Sequence, residues 1–214
     1  MVDLEAEKAV AARAAAALVE DGMKVGLGTG STVAHLLTSL AERGLSVRCV
    51  STSPRTEEVA RSLGLEVATL EDLGRLDIAI DGTDEVDGAG WLIKGGGGAH
   101  TREKIVAAAA DRFVVMADST KPVTGFTWPV PVELLEFGLS STLTLLGDVE
   151  LRDLPRSPDG GVLAFWRGDL TDPATAAAFL SSVPGVVDHG LFPPSMVSDV
   201  IIARGETVEH RRIG

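Results

Sequence analysis

The sequence predicts an α/β fold: a Rossmann-like, mostly parallel sheet with helices on both faces, plus a smaller α+β domain. Three observations predict it. Short apolar runs alternate with helix-period stretches up to about residue 125, the pattern of successive βαβ units. Four of these runs end in polar or Gly-rich turns, at Gly28–Thr32, Thr52–Ser53, Asp81–Asp87 and Asp118–Lys121. Beyond Phe126 the texture changes: Pro129, Pro131, Pro155, Pro158, Pro173 and Pro184 interrupt the chain, and a strongly apolar run returns at Asp199–Arg204.

Each element has a local reason. Leu4–Glu20 has helical periodicity, with Asp3 as N-cap. Met23–Gly28 is a short apolar strand, and a helix over Thr32–Arg43 follows with Ser31 as its N-cap. Val47–Ser51 is the second strand, after which Ser53-Pro54 opens a helix, since proline suits the first turn. Glu66–Ala68, Leu76–Asp81 and Trp91–Lys94 are further strands, Thr101–Ala110 a helix, and Phe113–Ala117 a strand. In the smaller domain Val130–Leu134, Val149–Arg152 and Gly161–Trp166 are expected strands, and Gly138–Leu146 and Pro173–Ser182 expected helices. Asp199–Arg204 rejoins the main sheet, and Gly205 turns it into a last strand, Thr207–Arg211. The α/β domain thus spans 1–127 and 200–214, and the smaller domain 128–199.

Composition narrows the functional classes. With 214 residues the chain can bury one good core, or one domain with a smaller partner. Its formal net charge is −12, without a Lys/Arg-rich run, which argues against nucleic acid and against an anionic membrane surface. Cys49, the only cysteine, sits in the apolar run Val47–Val50 and is expected to be a buried small hydrophobe. Residues 1–20 carry four carboxylates and lack the pattern of a signal peptide, so a cytoplasmic protein is expected.

In open α/β sheets ligands bind outside the carboxyl ends of the strands, where all four unusual loops fall. Gly28-Thr29-Gly30-Ser31-Thr32 fails as a dinucleotide fingerprint, because the third glycine position is Ser31 and the second strand ends without an acidic residue. It is not a Walker A loop either. What remains is a Gly-rich turn with hydroxyls feeding a helix N-terminus, which suits a phosphate. In Asp81-Gly82-Thr83-Asp84-Glu85-Val86-Asp87 the spacing does not match a calcium loop. Asp81 and Asp84 are expected to present carboxylates to a cleft, and Glu85 and Asp87 to form a solvated acidic turn. Histidines at 35, 100, 189 and 210 make no zinc pattern, and no metal is expected.

Lys94-Gly95-Gly96-Gly97-Gly98-Ala99-His100-Thr101-Arg102-Glu103-Lys104 is the most informative segment. Four glycines expose backbone amides, a cation precedes them and Glu103 follows in the first turn of a helix. A flexible linker would also use such a run. As a ligand site it offers Glu103 as a general base beside a carbonyl and Lys94 as a counter-charge for an enediolate. Lys121 is placed to hold a phosphate. Either lysine is equally compatible with an ordinary surface position, and Arg102 and Lys104 are expected at the surface.

The segments GLGTGSTVAHL, STSPRTEEVA, DIAIDGTDEVD, KGGGGAHTREKIVA and MADSTK, with PVPVEL and PGVVDHGLF later, resemble type A ribose-5-phosphate isomerases over most of the chain. The resemblance implies cofactor-free isomerisation of D-ribose 5-phosphate and D-ribulose 5-phosphate through an enediolate, in the non-oxidative pentose phosphate pathway. It implies that Glu103 is the base moving a proton between C1 and C2, and that Asp81 is the acid/base partner. Asp84 and Lys94 would orient the sugar and stabilise the enediolate. Thr29, Gly30, Ser31, Thr32 and Lys121 would hold the phosphate, and Gly82, Thr83, Gly95, Gly96 and Gly97 would complete the substrate contacts, with Lys8 reaching the phosphate as well. It further implies a homodimer or homotetramer, assembled partly through the small domain. The chain departs from the family at His100, where an apolar residue is usual and where a histidine could alter the pKa of Glu103. It also departs at Glu136, His189 and the stretch Arg156–Val162. A non-catalytic sugar-phosphate sensor, and an enzyme acting on an amino-sugar phosphate, are the competing expectations.

Overall fold

Alternation of helices and strands begins at the first described residues of the computed structural model, which describes residues 2–213. Helix α1 (Leu4–Ala16) is capped by the Asp3 carboxylate, which accepts the Ala6 N–H at 3.1 Å. It stops short of Glu20: Leu18 and Val19 turn back through i+3 bonds to Ala15 and Ala16, and the Arg43 guanidinium donates to the carbonyls of Ala16 and Val19. Strand β1 (Lys24–Leu27), α2 (Ser31–Arg43), β2 (Arg48–Ser51), α3 (Pro54–Ser62), β3 (Glu66–Val67), α4 (Leu70–Leu73) and β4 (Ile78–Gly82) follow. Ser53 caps α3 as expected, accepting from the Thr56 N–H at 3.2 Å. Next come β5 (Glu85–Val86), β6 (Leu92–Ile93), α5 (His100–Ala108) and β7 (Phe113–Ala117). The remainder is β8 (Val130–Leu134), α6 (Leu139–Leu146), β9 (Val149–Leu151), β10 (Val162–Trp166), α7 (Pro173–Ser182), β11 (Val186–His189), β12 (Leu191–Phe192), a 3-10 turn at Pro194–Met196, β13 (Asp199–Arg204) and β14 (Thr207–Arg212).

The main sheet has the order β14-β13-β7-β4-β1-β2-β3, and every pair is parallel except the β13–β14 hairpin. Its central strands are covered on both faces, so β7 is buried throughout and reads as an unbroken apolar run. On one face α1 and α2 supply Val10, Ala15, Leu36 and Leu40; on the other α5 and α4 supply Val106, Ala107 and Leu73. Cys49 lies in the first of these cores, and burial pushes its thiol up to about 12, an inert position. The chain runs outward from β1 to β3 and then returns to β4 and β7 on the other side. The order therefore reverses between β1 and β4, and a crevice opens at their carboxyl ends.

A second, antiparallel sheet, β11-β8-β10-β9, is covered by α6 and α7 around Val132, Ala164, Trp166 and Leu180. A small third sheet, β12-β6-β5, stands between the two. Its strands are two residues each, too short to show a period in sequence. Among the described residues no helix is long and apolar enough to cross a membrane.

Candidate active site

The crevice is built from the ends of β1 and β4. A Cβ at Gly28 would fall on the Asp81 carboxylate, so only glycine lets the two strand ends close. Asp81 is 3% exposed; its Oδ1 accepts the N–H of Thr29 (3.1 Å) and of Gly82 (2.7 Å), and its Oδ2 accepts from Lys94 Nζ at 2.8 Å. Gly28→Ala is expected to destabilise the fold by about 1–3 kcal/mol through overpacking and to displace Asp81. A thermal melt that matches wild type would contradict this contact.

The turn after β1 differs from expectation in one respect. Ser31 is the first helical residue of α2, not its cap; Gly30, at φ 123, occupies the cap and makes no side-chain bond. A glycine is needed there because other residues rarely adopt that φ. The first N–H groups of α2 are thus left without a side-chain acceptor, as an anion-binding N-terminus requires. Thr29 is steadied by a 2.8 Å hydroxyl contact with Thr52 from the end of β2.

Lys94, at the end of β6, is 2% exposed, which removes the surface-lysine alternative. Its ammonium contacts Asp81 Oδ2, the Gly82 carbonyl (2.5 Å) and Glu103 Oε2 (3.2 Å), and it stands 5.5 Å from the centre of the Phe192 ring. The Glu103 contact is ionic rather than an aligned hydrogen bond, and that oxygen has no hydrogen-bond partner. Nor is the glycine run a loose linker: the Gly96 N–H binds Asp84 Oδ2 at 2.8 Å and the Gly98 N–H binds the Gly95 carbonyl at 2.9 Å.

Two carboxylates therefore share one buried ammonium. Burial, then the Asp81 charge, push Glu103 up to about 8, and Lys94 only partly opposes this. Burial likewise raises Asp81, against the pull of Lys94. Burial alone would lower Lys94, but Asp81 and Glu103 overcome it and hold the ammonium charged. Such a carboxylate is poised to take a proton near neutral pH.

Lys94 and Glu103 line a cleft of about 140 Å³. Thr29–Thr32, Gly82–Asp84, Lys94–Gly97, Glu103 and Lys121 all border it, as does Lys8. Asp84 borders it as expected, but Asp81 does not: its buried carboxylate is taken up by Thr29, Gly82 and the Lys94 ammonium. The N-terminus of α2, Lys8 and Lys121 supply the amides and cations that border the cleft. Lys121 is placed by the turn after β7, where the Asp118 carboxylate binds the Thr120 N–H at 2.9 Å. A larger cavity of about 680 Å³, bordered by Thr101, Arg102, Ile105, Val106 and Glu133, includes neither Lys94 nor Glu103.

Two expectations fail for neighbouring charges, at Glu85 and Lys104. Glu85 is buried rather than solvated: it accepts the N–H groups of Thr127 (2.9 Å) and Trp128 (3.1 Å), tying the start of the small domain to β5. Asp87 shapes a turn by accepting from Ala89 and Trp91. Lys104 is not at the surface; it binds Asp188 Oδ1 at 2.6 Å and the His189 carbonyl. Arg102 is at the surface as expected, paired with Asp159. His100 does begin the helix that carries Glu103, but its ring turns away toward the Asp188 carbonyl (Nε2 at 3.3 Å) and is not among the groups that shift Glu103.

Burial, then Lys104, push His100 down to about 3, and His189 falls to about 3 for the same reasons. A histidine held neutral in the fold but protonated in the unfolded chain adds stability above its ordinary value of 6.5, lost as pH falls below it. Relative to His100→Gln, wild type is expected to lose about 1.4 kcal/mol per pH unit below 6.5 and to hold a constant difference above 7. Urea unfolding at several pH values measures this; a difference independent of pH would contradict a neutral His100.

Two supports had no signal in the sequence. Glu7, 2% exposed, holds the Ser119 N–H (2.9 Å) and the Gly205 N–H (2.7 Å), fixing the loop that leads to Lys121. Arg152, from the second sheet, reaches the carbonyls of Gly95 and Gly96. Both act across a fold that only tertiary structure brings together.

A family model described as Ribose 5-phosphate isomerase A (phosphoriboisomerase A) matches residues 48–207. A protein of Nitrobacter hamburgensis named ribose-5-phosphate isomerase A is 44% identical over 211 residues, covering 88% of this chain and 90% of its own. A crystal structure of ribose 5 phosphate isomerase A from Neisseria gonorrhoeae superposes with a TM-score of 0.94 at 32% identity, over 100% of this chain and 99% of its own. A D-ribose-5-phosphate isomerase solved in complex with phospho-erythronic acid superposes at 0.92 with 32% identity, over 98% and 99%.

Proposed function

Because the chain belongs to the ribose 5-phosphate isomerase A family, we propose that it interconverts D-ribose 5-phosphate and D-ribulose 5-phosphate through an enediolate at this cleft. The observation that carries the assignment of roles is the buried Asp81–Lys94–Glu103 cluster beside an anion-binding helix terminus. Phospho-erythronic acid, held by a relative, carries a carboxylate and a phosphate, the charges that an enediolate phosphate would present at the two ends of such a cleft.

The phosphate rests on the α2 N-terminus with Lys121 and Lys8, and the open-chain sugar extends toward Gly95–Gly97. The Glu103 carboxylate removes the proton from C2 of the aldose. The C2–H electrons form the C1–C2 double bond, and the carbonyl electrons move to O1, whose negative charge faces Lys94. Asp81 acts through the Lys94 ammonium that it holds, which gives a proton to O1 and takes one from the O2 hydroxyl, so that charge passes from O1 to O2. Glu103 then returns its proton to C1, leaving the ketone at C2. Asp84, bonded to the Gly96 N–H, orients the sugar hydroxyls.

The purified protein is expected to interconvert the two pentose phosphates in the presence of a chelator; a folded protein without turnover would overturn the reading. The acidic limb of kcat/KM is expected between the ordinary 4.5 of a glutamate and about 8, with activity rising as pH rises and Glu103 ionises. A limb below 4.5 would remove Glu103 from the role of base.

The same proposal places the enzyme in the cytoplasm and in the non-oxidative pentose phosphate pathway. It also treats 1–127 with 200–214 as the catalytic domain and 128–199 as an assembly domain of a dimer or tetramer. Support for assembly comes from Phe137, 94% exposed, two residues beyond exposed Leu135. Light scattering on wild type and Phe137→Asp tests it.

A further inference from the structure

Arg152 lies on the hairpin between β9 and β10, far in sequence from the cleft, and does not border it. Its backbone is fixed by the Leu163 carbonyl, which accepts its N–H at 3.0 Å. Its guanidinium lies 4.4 Å from the centre of the Phe165 ring. From there Nη1 donates to the Gly95 carbonyl at 2.8 Å and Nη2 donates to the Gly96 carbonyl. Two successive carbonyls of the glycine run are thus held by one planar fork.

We propose that Arg152 is a positioning residue for the isomerisation: by holding the Gly95 and Gly96 carbonyls away from the cleft, it sets the peptide planes between Lys94 and Glu103. This rests on the isomerase reading above. Glycines give a chain more backbone freedom than any other residue, so a run of four must be fixed from outside if it is to present amides in one orientation. The run's own contacts are few: Asp84 takes the Gly96 N–H, and Gly98 closes a turn on Gly95. Arg152 supplies the opposite side, so Gly96 is gripped at its N–H by Asp84 and at its carbonyl by Arg152. The run also sets where α5 begins, and with it Glu103. A lysine could not replace the fork, because a single ammonium on a flexible stem lacks the rigid pair of donors that spans two carbonyls.

The rest of the small domain points the same way. Thr101, Arg102 and Lys104 flank Glu103, and each is bound from that side, by Glu133, Asp159 and Asp188 respectively. These bonds hold the helix; from the same side Arg152 holds the glycine carbonyls.

The test compares Arg152→Ala and Arg152→Lys with wild type in the isomerase assay, each checked for folding by circular dichroism and melting. The phosphate contacts are remote from Arg152, so KM is expected to change less than about threefold, while kcat of Arg152→Ala falls on the order of 100-fold. Arg152→Lys is expected to fold and still lose turnover. Guanidinium at non-denaturing concentration is expected to restore part of kcat to Arg152→Ala, which a structural defect elsewhere would not allow. The inference is overturned by a folded variant with wild-type kcat, by an effect confined to KM, or by a kcat loss that guanidinium does not rescue. If Arg152→Ala does not fold, Arg152→Lys decides by the same kcat criterion. A wild-type protein without turnover would overturn the isomerase reading and this inference with it, whereas an active wild type with unaffected variants overturns this inference alone.

Discussion

Glu103→Gln is expected to lose turnover by roughly a thousand- to ten-thousand-fold while still binding the sugar phosphate. The upper range for general acid–base catalysis applies because the same group removes and returns the proton. Gln keeps the shape of the side chain but cannot accept a proton, and the phosphate contacts at α2 and Lys121 remain. KM should therefore stay near wild type, and a thermal-shift titration with ribose 5-phosphate should still saturate. The variant also makes an electrostatic prediction. Because the folded pKa of Glu103 is raised to about 8 from an ordinary 4.5, the folded state holds this proton more tightly than the unfolded chain. Wild-type stability relative to the variant is then greatest below pH 4.5 and declines by about 1.4 kcal/mol per unit as pH rises toward 8. Denaturant unfolding at pH 5, 7 and 9 measures it. Activity close to wild type, or a stability difference that grows with pH, would contradict a desolvated catalytic carboxylate.

Lys94→Met is expected to damage both stability and turnover. Removing the ammonium leaves Asp81 and Glu103, 4% and 3% exposed at their side chains, facing each other without a counter-charge. Breaking a buried pair by deleting one partner costs about 3–5 kcal/mol. Here the cost should shrink as pH falls, because the two carboxyl groups can take up protons in place of the lost ammonium. Turnover should fall by about 100- to 1,000-fold even where the variant is folded, since the oxyanion at O1 loses its nearest cation. Melting temperatures at pH 5 and pH 8, with kcat at each, give the two effects separately. A variant equally stable at both pH values would contradict the shared-ammonium arrangement.

The main sheet was legible because its chemistry is local. Apolar runs of four to six residues, closed by Gly28, Thr52, Asp81 and Asp118, mark parallel strands and their functional edge without reference to any distant residue. The groups bordering the cleft were legible for the same reason: Thr29–Thr32, Gly82–Asp84, Lys94–Gly97 and Lys121 lie at or just beyond strand ends, and the topology brings these segments to one crevice. Burial and cross-chain bonds were not legible. Glu85 looks like part of an acidic turn until the Thr127 and Trp128 amides arrive from forty residues away. Lys104 looks like a solvent-facing helix residue until β11 covers it. His100 is adjacent to Glu103 in sequence but faces β11 in space. Arg152 carries no local signal at all, because its role depends on a hairpin whose position only the packed fold defines. Propensity favours Ser31 as the cap of α2, but Gly30, at positive φ, occupies that position and leaves the helix terminus without a side-chain acceptor.

The account centres on Glu103 as the base that takes the C2 proton, and exchange of that proton tests it most directly. D-ribose 5-phosphate deuterated at C2 is incubated with wild type and with Glu103→Gln in ordinary water, and recovered substrate and product are read by mass spectrometry. Wild type should show a primary isotope effect and release deuterium to solvent, while substrate recovered from Glu103→Gln keeps its label. Release of the label by Glu103→Gln at the wild-type rate would contradict the account.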